Sequence, residues 1–179
     1  MPKDQAFVAI PGEKLLEAIG EVSVKWAPLE WQLDNMLFWA SDPADAETAR
    51  LLSEGSIRKR WNRLKEVVRV EHSAHPGTLG LTILIDECLQ LKGERDKLIH
   101  GVYGAQDGTI TPEAAVVVMM QGGYEKGRGW AVTRPKVMEV ARKIDGMVRQ
   151  IFDYRMRFAE PLGNSFRLNA WRHKARAQD

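Results

Sequence analysis

The segment Arg95–His100, with the sequence RDKLIH, combines a guanidinium, a carboxylate and an imidazole within six residues. Histidine has an unperturbed pKa of about 6.5, so its side chain can move protons near neutral pH. The planar guanidinium of arginine stays charged and matches the oxygens of a phosphate group. A proton-transfer group next to a fixed cation suits chemistry at a phosphate group. In such a reaction His100 would be the general acid or base, and Arg95 would stabilise the negative charge that develops.

Placement along the chain separates this segment from two others with similar Arg-to-His spacing. The spacing occurs at Arg69–His75, Arg95–His100 and Arg167–His173. The first pair ends in a Pro-Gly loop, and the third lies beyond the last predicted core helix. Only the second lies at the end of an apolar helix, where a packed scaffold can hold both side chains.

Helical geometry gives two expectations for this segment. Asp96 is four residues before His100 and shares its helix face, so we expect Asp96 to orient the imidazole. Arg95 and His100 are about 140° apart around an ideal helix, so we expect that they do not stack directly.

The arginine, the polar residue after it and the histidine match the R-x(4–6)-H motif of the HEPN superfamily. The chain resembles this family over residues 12–158, because amphipathic helices precede and follow the motif. The resemblance implies a metal-independent endoribonuclease without a cofactor, with Arg95, Asp96 and His100 as catalytic residues. It also implies a homodimer whose sites form where two copies meet. Such proteins often act as toxins or in phage defence, so an antitoxin is a conceivable partner.

Further residues are candidates for binding RNA. Lys97 lies inside the motif, and Tyr103 follows it, where its ring could stack on a base or sugar; the alternative is a tyrosine packed in a strand. Arg58 and Arg63 lie on a basic helix whose charges would suit a polyanion or simply be solvated. We predict no metal site, because the chain has one cysteine and four scattered histidines.

Two other functions stay open at this stage. A non-catalytic HEPN-like module for dimerisation or for binding RNA or protein would use Arg95 and His100 structurally, at the negative end of a helix. In that case the basic helix around Arg58 and Arg63 would matter more. A helical structural or phage-related protein without chemistry is the third alternative.

Composition limits the class of protein. The chain has 179 residues, 44% hydrophobic residues and a formal net charge of +2, which is ordinary for a globular domain. It has no apolar run of the roughly 20 residues needed to cross a bilayer, and its first residues do not resemble a signal peptide. The single Cys88 suits a reducing compartment. We therefore expect a cytoplasmic protein without a membrane partner.

Hydrophobic periodicity predicts a mainly α-helical bundle of four to five helices with a small antiparallel β insertion before the last helix. The first predicted helix runs from 12 or 13 to 40 and is kinked or divided at Pro28, and a short segment from Asp42 to Gly55 follows it. Two further helices are predicted, one capped by Ser56 and one over 78–100. Strands are predicted near 102–104, 109–111, 114–120 and 130–133, and a last helix begins at Pro135. We assign residues 1–159 to one HEPN-like domain and 160–179 to a basic tail.

Overall fold

The computed structural model describes residues 10–41, 45–74, 77–104, 114–118 and 130–156. The chain is a mainly α-helical bundle, as predicted, with five helices and a small antiparallel sheet before the last helix in these ranges. The elements, in chain order, are α1 (Glu13–Ala40), α2 (Ala46–Glu54), α3 (Ile57–Glu71), α4 (Thr78–His100), β1 (Val102–Gly104), β2 (Ala114–Val118), β3 (Trp130–Thr133) and α5 (Arg134–Tyr154).

α1 is one continuous helix with Pro28 inside it, so two helices do not meet there. Proline removes one backbone donor, but burial of the apolar face holds the helix together. Leu15, Val22, Leu29 and Leu33 are fully buried on that face.

Capping of the two short helices differs from expectation. α2 begins at Ala46, and the side chain of Asp45 accepts hydrogen bonds from the backbone of Glu47 and Thr48. The predicted start at Asp42-Pro43 lies outside the described residues. Ser56 is at the N-cap of α3 as predicted, but its side chain makes no cap hydrogen bond.

The sheet has the order β1-β2-β3 and is antiparallel throughout. β2 pairs with β3, with Ala114 opposite Thr133, which confirms the predicted return of 130–133 onto 114–118. β1 pairs with β2, with Val102 opposite Val118. The predicted strand at 109–111 and the tail at 160–179 lie outside the described residues.

Contacts group the chain into two compact units. The first unit comprises Met1–Trp26 and Gln90–Asp145, and the second comprises Ala27–Leu89 and Gly146–Asp179. The assignment of 1–159 to one domain stays a prediction. Buried residues of the first unit include Leu15, Val22, Trp26, Leu91, Leu98, Val132, Val137, Ala141 and Ile144, and those of the second include Leu33, Trp61, Leu64, Leu81, Ile85, Cys88 and Ile151.

The three tryptophans of α1 have different environments. Aromatic residues at helical spacing are usually core residues, and Trp26 is indeed 2% exposed. Trp31 and Trp39 are 60% and 37% exposed, so for them the expectation of a core position is wrong. The repeat of α1 places their side chains off the buried face.

Candidate functional site

Near the C-terminal end of α4, hydrogen bonds link the side chains of Lys92, Arg95, Asp96 and His100, which we call the α4 cluster. Lys92, Asp96 and His100 follow one another at intervals of four and therefore share one helix face. The helix ends at His100, and β1 begins at Val102. Leu91 and Leu98, which are close to the cluster residues in the sequence, are buried. Their burial anchors the end of the helix.

Arg95 and His100 meet directly. The Nη1 atom of Arg95 lies 3.2 Å from the Nε2 atom of His100. The two residues are about 140° apart around an ideal helix, and the long arginine side chain spans this angular gap. They meet through one nitrogen of each side chain, which is compatible with the prediction that they do not stack.

His100 is exposed at the end of the helix. A guanidinium is only a donor. When its N–H is directed to Nε2, that ring nitrogen accepts, and the imidazole is then neutral with its proton on Nδ1. The same nitrogen would have to be released by Arg95 before it could accept a proton from a substrate.

Asp96 serves the two cations of the cluster rather than the imidazole. Its Oδ1 accepts from Arg95 Nη1 at 2.9 Å, and its Oδ2 accepts from Lys92 Nζ. Within the described residues it makes no hydrogen bond with His100, contrary to our expectation. Burial opposes ionisation of this carboxyl, but the hydrogen bonds from Lys92 and Arg95 lower the pKa of Asp96 below its ordinary value.

Trp26 of α1 lies against the same guanidinium. The Arg95 Cζ atom is 5.7 Å from the centroid of the Trp26 ring, within the range of a cation–π interaction. The Arg95 Nε atom is buried and has no hydrogen-bond partner among the described residues. The guanidinium is therefore restrained on one face and along one edge.

The charges of the α4 cluster do not cancel. Lys92 and Arg95 are two cations, and Asp96 is the single carboxylate bonded to them. The neighbouring Glu94 pairs with Lys143 of α5 at 3.4 Å, and Glu94 raises the pKa of Lys143. The cluster thus keeps one excess positive charge next to an exposed imidazole, an arrangement that favours binding of an anion.

Tyr103 and Lys97 were predicted to bind substrate, and both belong to the same unit as the cluster. The hydroxyl of Tyr103 in β1 donates to the backbone carbonyl of Leu98, and burial raises the pKa of Tyr103 to about 12. This hydroxyl is a structural donor that joins the strand to the end of α4. Lys97 is exposed in the last turn of α4. Their contacts with RNA stay predictions.

Arg58 and Arg63, the other predicted substrate-binding residues, belong to the second unit. Arg58 is exposed on α3. Arg63 donates to Asp45 and Glu66, each at 2.9 Å, and to the Thr48 hydroxyl at 3.4 Å. Those contacts use three of the five N–H donors of the guanidinium, and the role of Arg63 in binding RNA stays a prediction.

These contacts belong to a larger set, which we call the α3 ion-pair network. Arg60 donates to Asp34 at 2.9 Å, to Glu30 and to the carbonyl of Gly55. The network consists of Glu30, Asp34, Asp45, Arg60, Arg63 and Glu66. Four carboxylates surround two guanidiniums, so the basic appearance of α3 in the sequence overstates its free positive charge.

Two members of the site, Lys92 and Trp26, were not among the residues predicted from the sequence. Lys92 could have been found from its spacing, since it precedes Asp96 by four residues and such pairs meet on a helix. No local pattern could have identified Trp26, because it lies on another helix 69 positions earlier in the chain. Only folding brings it to Arg95.

The described residues contain neither a candidate metal cluster nor a candidate membrane-spanning helix. Those residues contain no group of three or more histidine, cysteine, aspartate or glutamate side chains that could hold an ion. None of the helices searched there is long and apolar enough to cross a membrane.

Comparisons with protein-family models, with curated proteins and with solved structures find no match to this chain. The resemblance to the HEPN superfamily therefore depends on the motif and its helical setting.

Proposed function

We propose that this chain is a metal-independent endoribonuclease of the HEPN type. The observation that carries the proposal is the 3.2 Å approach of Arg95 Nη1 to His100 Nε2 at an exposed helix end. A fixed cation and a proton-transfer group lie side by side there, with excess positive charge from Lys92. Cleavage of a phosphodiester with a neighbouring 2′-hydroxyl uses a group that moves protons and a cation that stabilises charge on the phosphorane.

In the proposed reaction, the 2′-oxygen forms a bond to phosphorus and the bond from phosphorus to the 5′-oxygen breaks. The phosphate competes with His100 for the Arg95 donor, so binding of RNA releases the imidazole nitrogen. His100 then takes the proton of the 2′-hydroxyl, and the departing 5′-oxygen takes a proton from water or from a second, protonated imidazole. The products are a 2′,3′-cyclic phosphate and a 5′-hydroxyl, and Arg95 stabilises the charge that develops on the phosphorane.

A homodimer would complete this scheme. If two copies of α4 converge, two imidazoles face one groove, so one can accept the first proton while the other supplies the second. A toxin or phage-defence role in the cytoplasm, with an antitoxin as partner, is the biological setting that the resemblance implies.

Cleavage of a labelled RNA in the presence of EDTA tests the activity. We expect cyclic phosphate ends, 5′-hydroxyl ends and no cutting of DNA of the same sequence. His100→Ala should lower the rate about 100-fold or more, because it removes the proton-transfer group. His100→Asn keeps a side chain of similar reach but cannot transfer protons at neutral pH, so it should be equally slow.

Arg50→Ala is the matched control, because Arg50 is an exposed arginine of α2 in the second unit. It should cut RNA at the parent rate. If His100→Ala also cuts at the parent rate, His100 is not catalytic and the proposal fails.

A non-catalytic RNA-binding module is the second candidate, favoured by the outer face of α3. Arg58, Lys59 and Arg69 are exposed there, and a groove of about 550 Å³ lies beside Arg69. Binding of RNA that weakens steeply with salt, without cleavage, would support this function. In that case Arg58→Ala with Lys59→Ala should weaken binding, and His100→Ala should not.

A further inference from the structure

The contact between Trp26 and Arg95 joins two helices that are distant in sequence. Trp26 is 2% exposed, and its ring lies 5.7 Å from the Arg95 Cζ atom. A buried indole has little freedom to move, because packing surrounds it. The ring therefore provides a rigid surface for the guanidinium.

The position of the guanidinium has a cost. A buried N–H group without a hydrogen-bond partner destabilises a protein, and Arg95 Nε is such a group among the described residues. The stacking on Trp26 and the hydrogen bond to Asp96 offset this cost. Lysine could not replace arginine there, because an ammonium has no planar face to stack.

We infer that Trp26 is a positioning residue, which holds the Arg95 guanidinium so that its outer edge faces His100 and one phosphate group of an RNA backbone. The phosphodiester in this inference rests on the proposed function, whereas the positioning of Arg95 does not. Asp96 restrains the guanidinium at Nη1, and Trp26 restrains its face. Together they leave the side chain with one orientation, so that no freedom is lost when the phosphate binds.

Substitution of Trp26 tests the effect on the reaction. Trp26→Leu should lower kcat about 10- to 100-fold with little change in KM, because a small displacement of the charge-stabilising group affects the transition state most. Trp26→Phe keeps an aromatic face and should recover most of the rate. In an Arg95→Ala background, Trp26→Leu should cause no further loss, because both changes act through one group.

Trp61→Leu is the matched control, since Trp61 is also fully buried, but on α3 in the second unit. The comparison is made at equal folded fractions, measured by circular dichroism. An equal loss of kcat per folded molecule in Trp61→Leu would contradict the inference. So would a full additional loss when Trp26→Leu is combined with Arg95→Ala.

A second measurement separates this inference from the proposed function. In ¹⁵N-labelled protein, the Arg95 Nε–H signal should exchange slowly, be shifted by the indole ring current and respond to added inorganic phosphate. The ring-current shift should disappear in Trp26→Leu and persist in Trp61→Leu. If the signal behaves so while RNA stays intact, the nuclease proposal fails and the positioning stands. If Trp26→Leu leaves the signal unchanged, the positioning is wrong whether or not RNA is cut.

Discussion

Two arginine-centred clusters of this molecule use the same kinds of side chain in different ways. In the α3 ion-pair network, four carboxylates surround Arg60 and Arg63. In the α4 cluster, Asp96 alone serves both Lys92 and Arg95, and an exposed histidine adjoins them. The first cluster is saturated with negative charge, whereas the second has a surplus of positive charge.

The difference separates a structural role from a candidate functional one. A saturated guanidinium between helices contributes to stability, and removal of it leaves carboxylates without partners. A guanidinium that has a buried unpaired donor and few acceptors around it lowers the stability of the fold, and such features occur at functional sites. Residue type alone does not distinguish the two clusters, but the ratio of acids to bases around each arginine does.

The largest predicted effect is on catalysis. Arg95→Ala should slow RNA cleavage about 100- to 1,000-fold, as expected when one donor to a developing oxyanion is removed. Its effect on the free energy of unfolding should be under about 1 kcal/mol, because the unpaired Nε disappears with the side chain. Denaturant unfolding and initial cleavage rates measure the two quantities. If Arg95→Ala lowers the free energy of unfolding as much as Arg60→Ala does, the proposed difference between the two clusters is wrong.

The reverse pattern is expected for Arg60→Ala. This change leaves Glu30 and Asp34 without their shared partner and removes the donor to Gly55, so it should destabilise the fold by about 2 kcal/mol. The cleavage rate per folded molecule should stay at the parent value. A slower rate at equal folded fraction would show that the α3 ion-pair network serves more than stability.

Asp45 should have a smaller effect that depends on pH. Asp45→Ala removes the cap of α2 and a partner of Arg63, at a cost of about 1–2 kcal/mol at pH 7. Hydrogen bonds from Thr48 and Arg63 hold the pKa of Asp45 well below its ordinary value of 3.8. A carboxyl with a lowered pKa stabilises the fold above pH 3.8, and this contribution is lost as the pH falls below that value. The difference in free energy of unfolding between the parent and Asp45→Ala should therefore become smaller in acid. A constant gap from pH 7 to pH 2 would exclude the charged pair as its source.

The smallest effect is predicted for Asp34→Asn. Burial raises the pKa of Asp34 above its ordinary value despite the hydrogen bond from Arg60, so this carboxyl ionises less readily in the folded chain than in the unfolded chain. A raised pKa gives a stabilising contribution that is complete below the unfolded pKa and is lost as the pH rises through the folded one. Asp34→Asn should therefore change the free energy of unfolding at pH 7 by less than about 0.5 kcal/mol. It should also remove the small increase in stability that protonation of Asp34 gives in acid. Urea unfolding at pH 4 and pH 7 measures both. A loss near that of Arg60→Ala would mean that the charge of Asp34 is essential.

Much of the fold could be predicted because its elements follow from local patterns. Apolar residues at intervals of three and four mark α1, α4 and α5, and β-branched residues between glycines mark the strands. The pairing of β2 with β3 followed from their proximity in the chain and from the glycines between them, which bound the first strand. The sequence could not predict the hydrogen-bond partner of Asp96. Lys92 and His100 are each four residues away, helix geometry allows either contact, and the side-chain rotamers determine which one forms.

The sequence by itself determined the helical bundle, the small sheet and the presence of an arginine, an aspartate and a histidine at the end of one helix. The reason is that periodicity, capping and spacing act over a few residues. Only the tertiary structure decided that Trp26 lies against Arg95, that Arg60 and Arg63 are neutralised by acids from other segments, and that Trp31 is exposed. Those outcomes depend on which helix faces meet, and burial of distant parts of the chain against one another selects them.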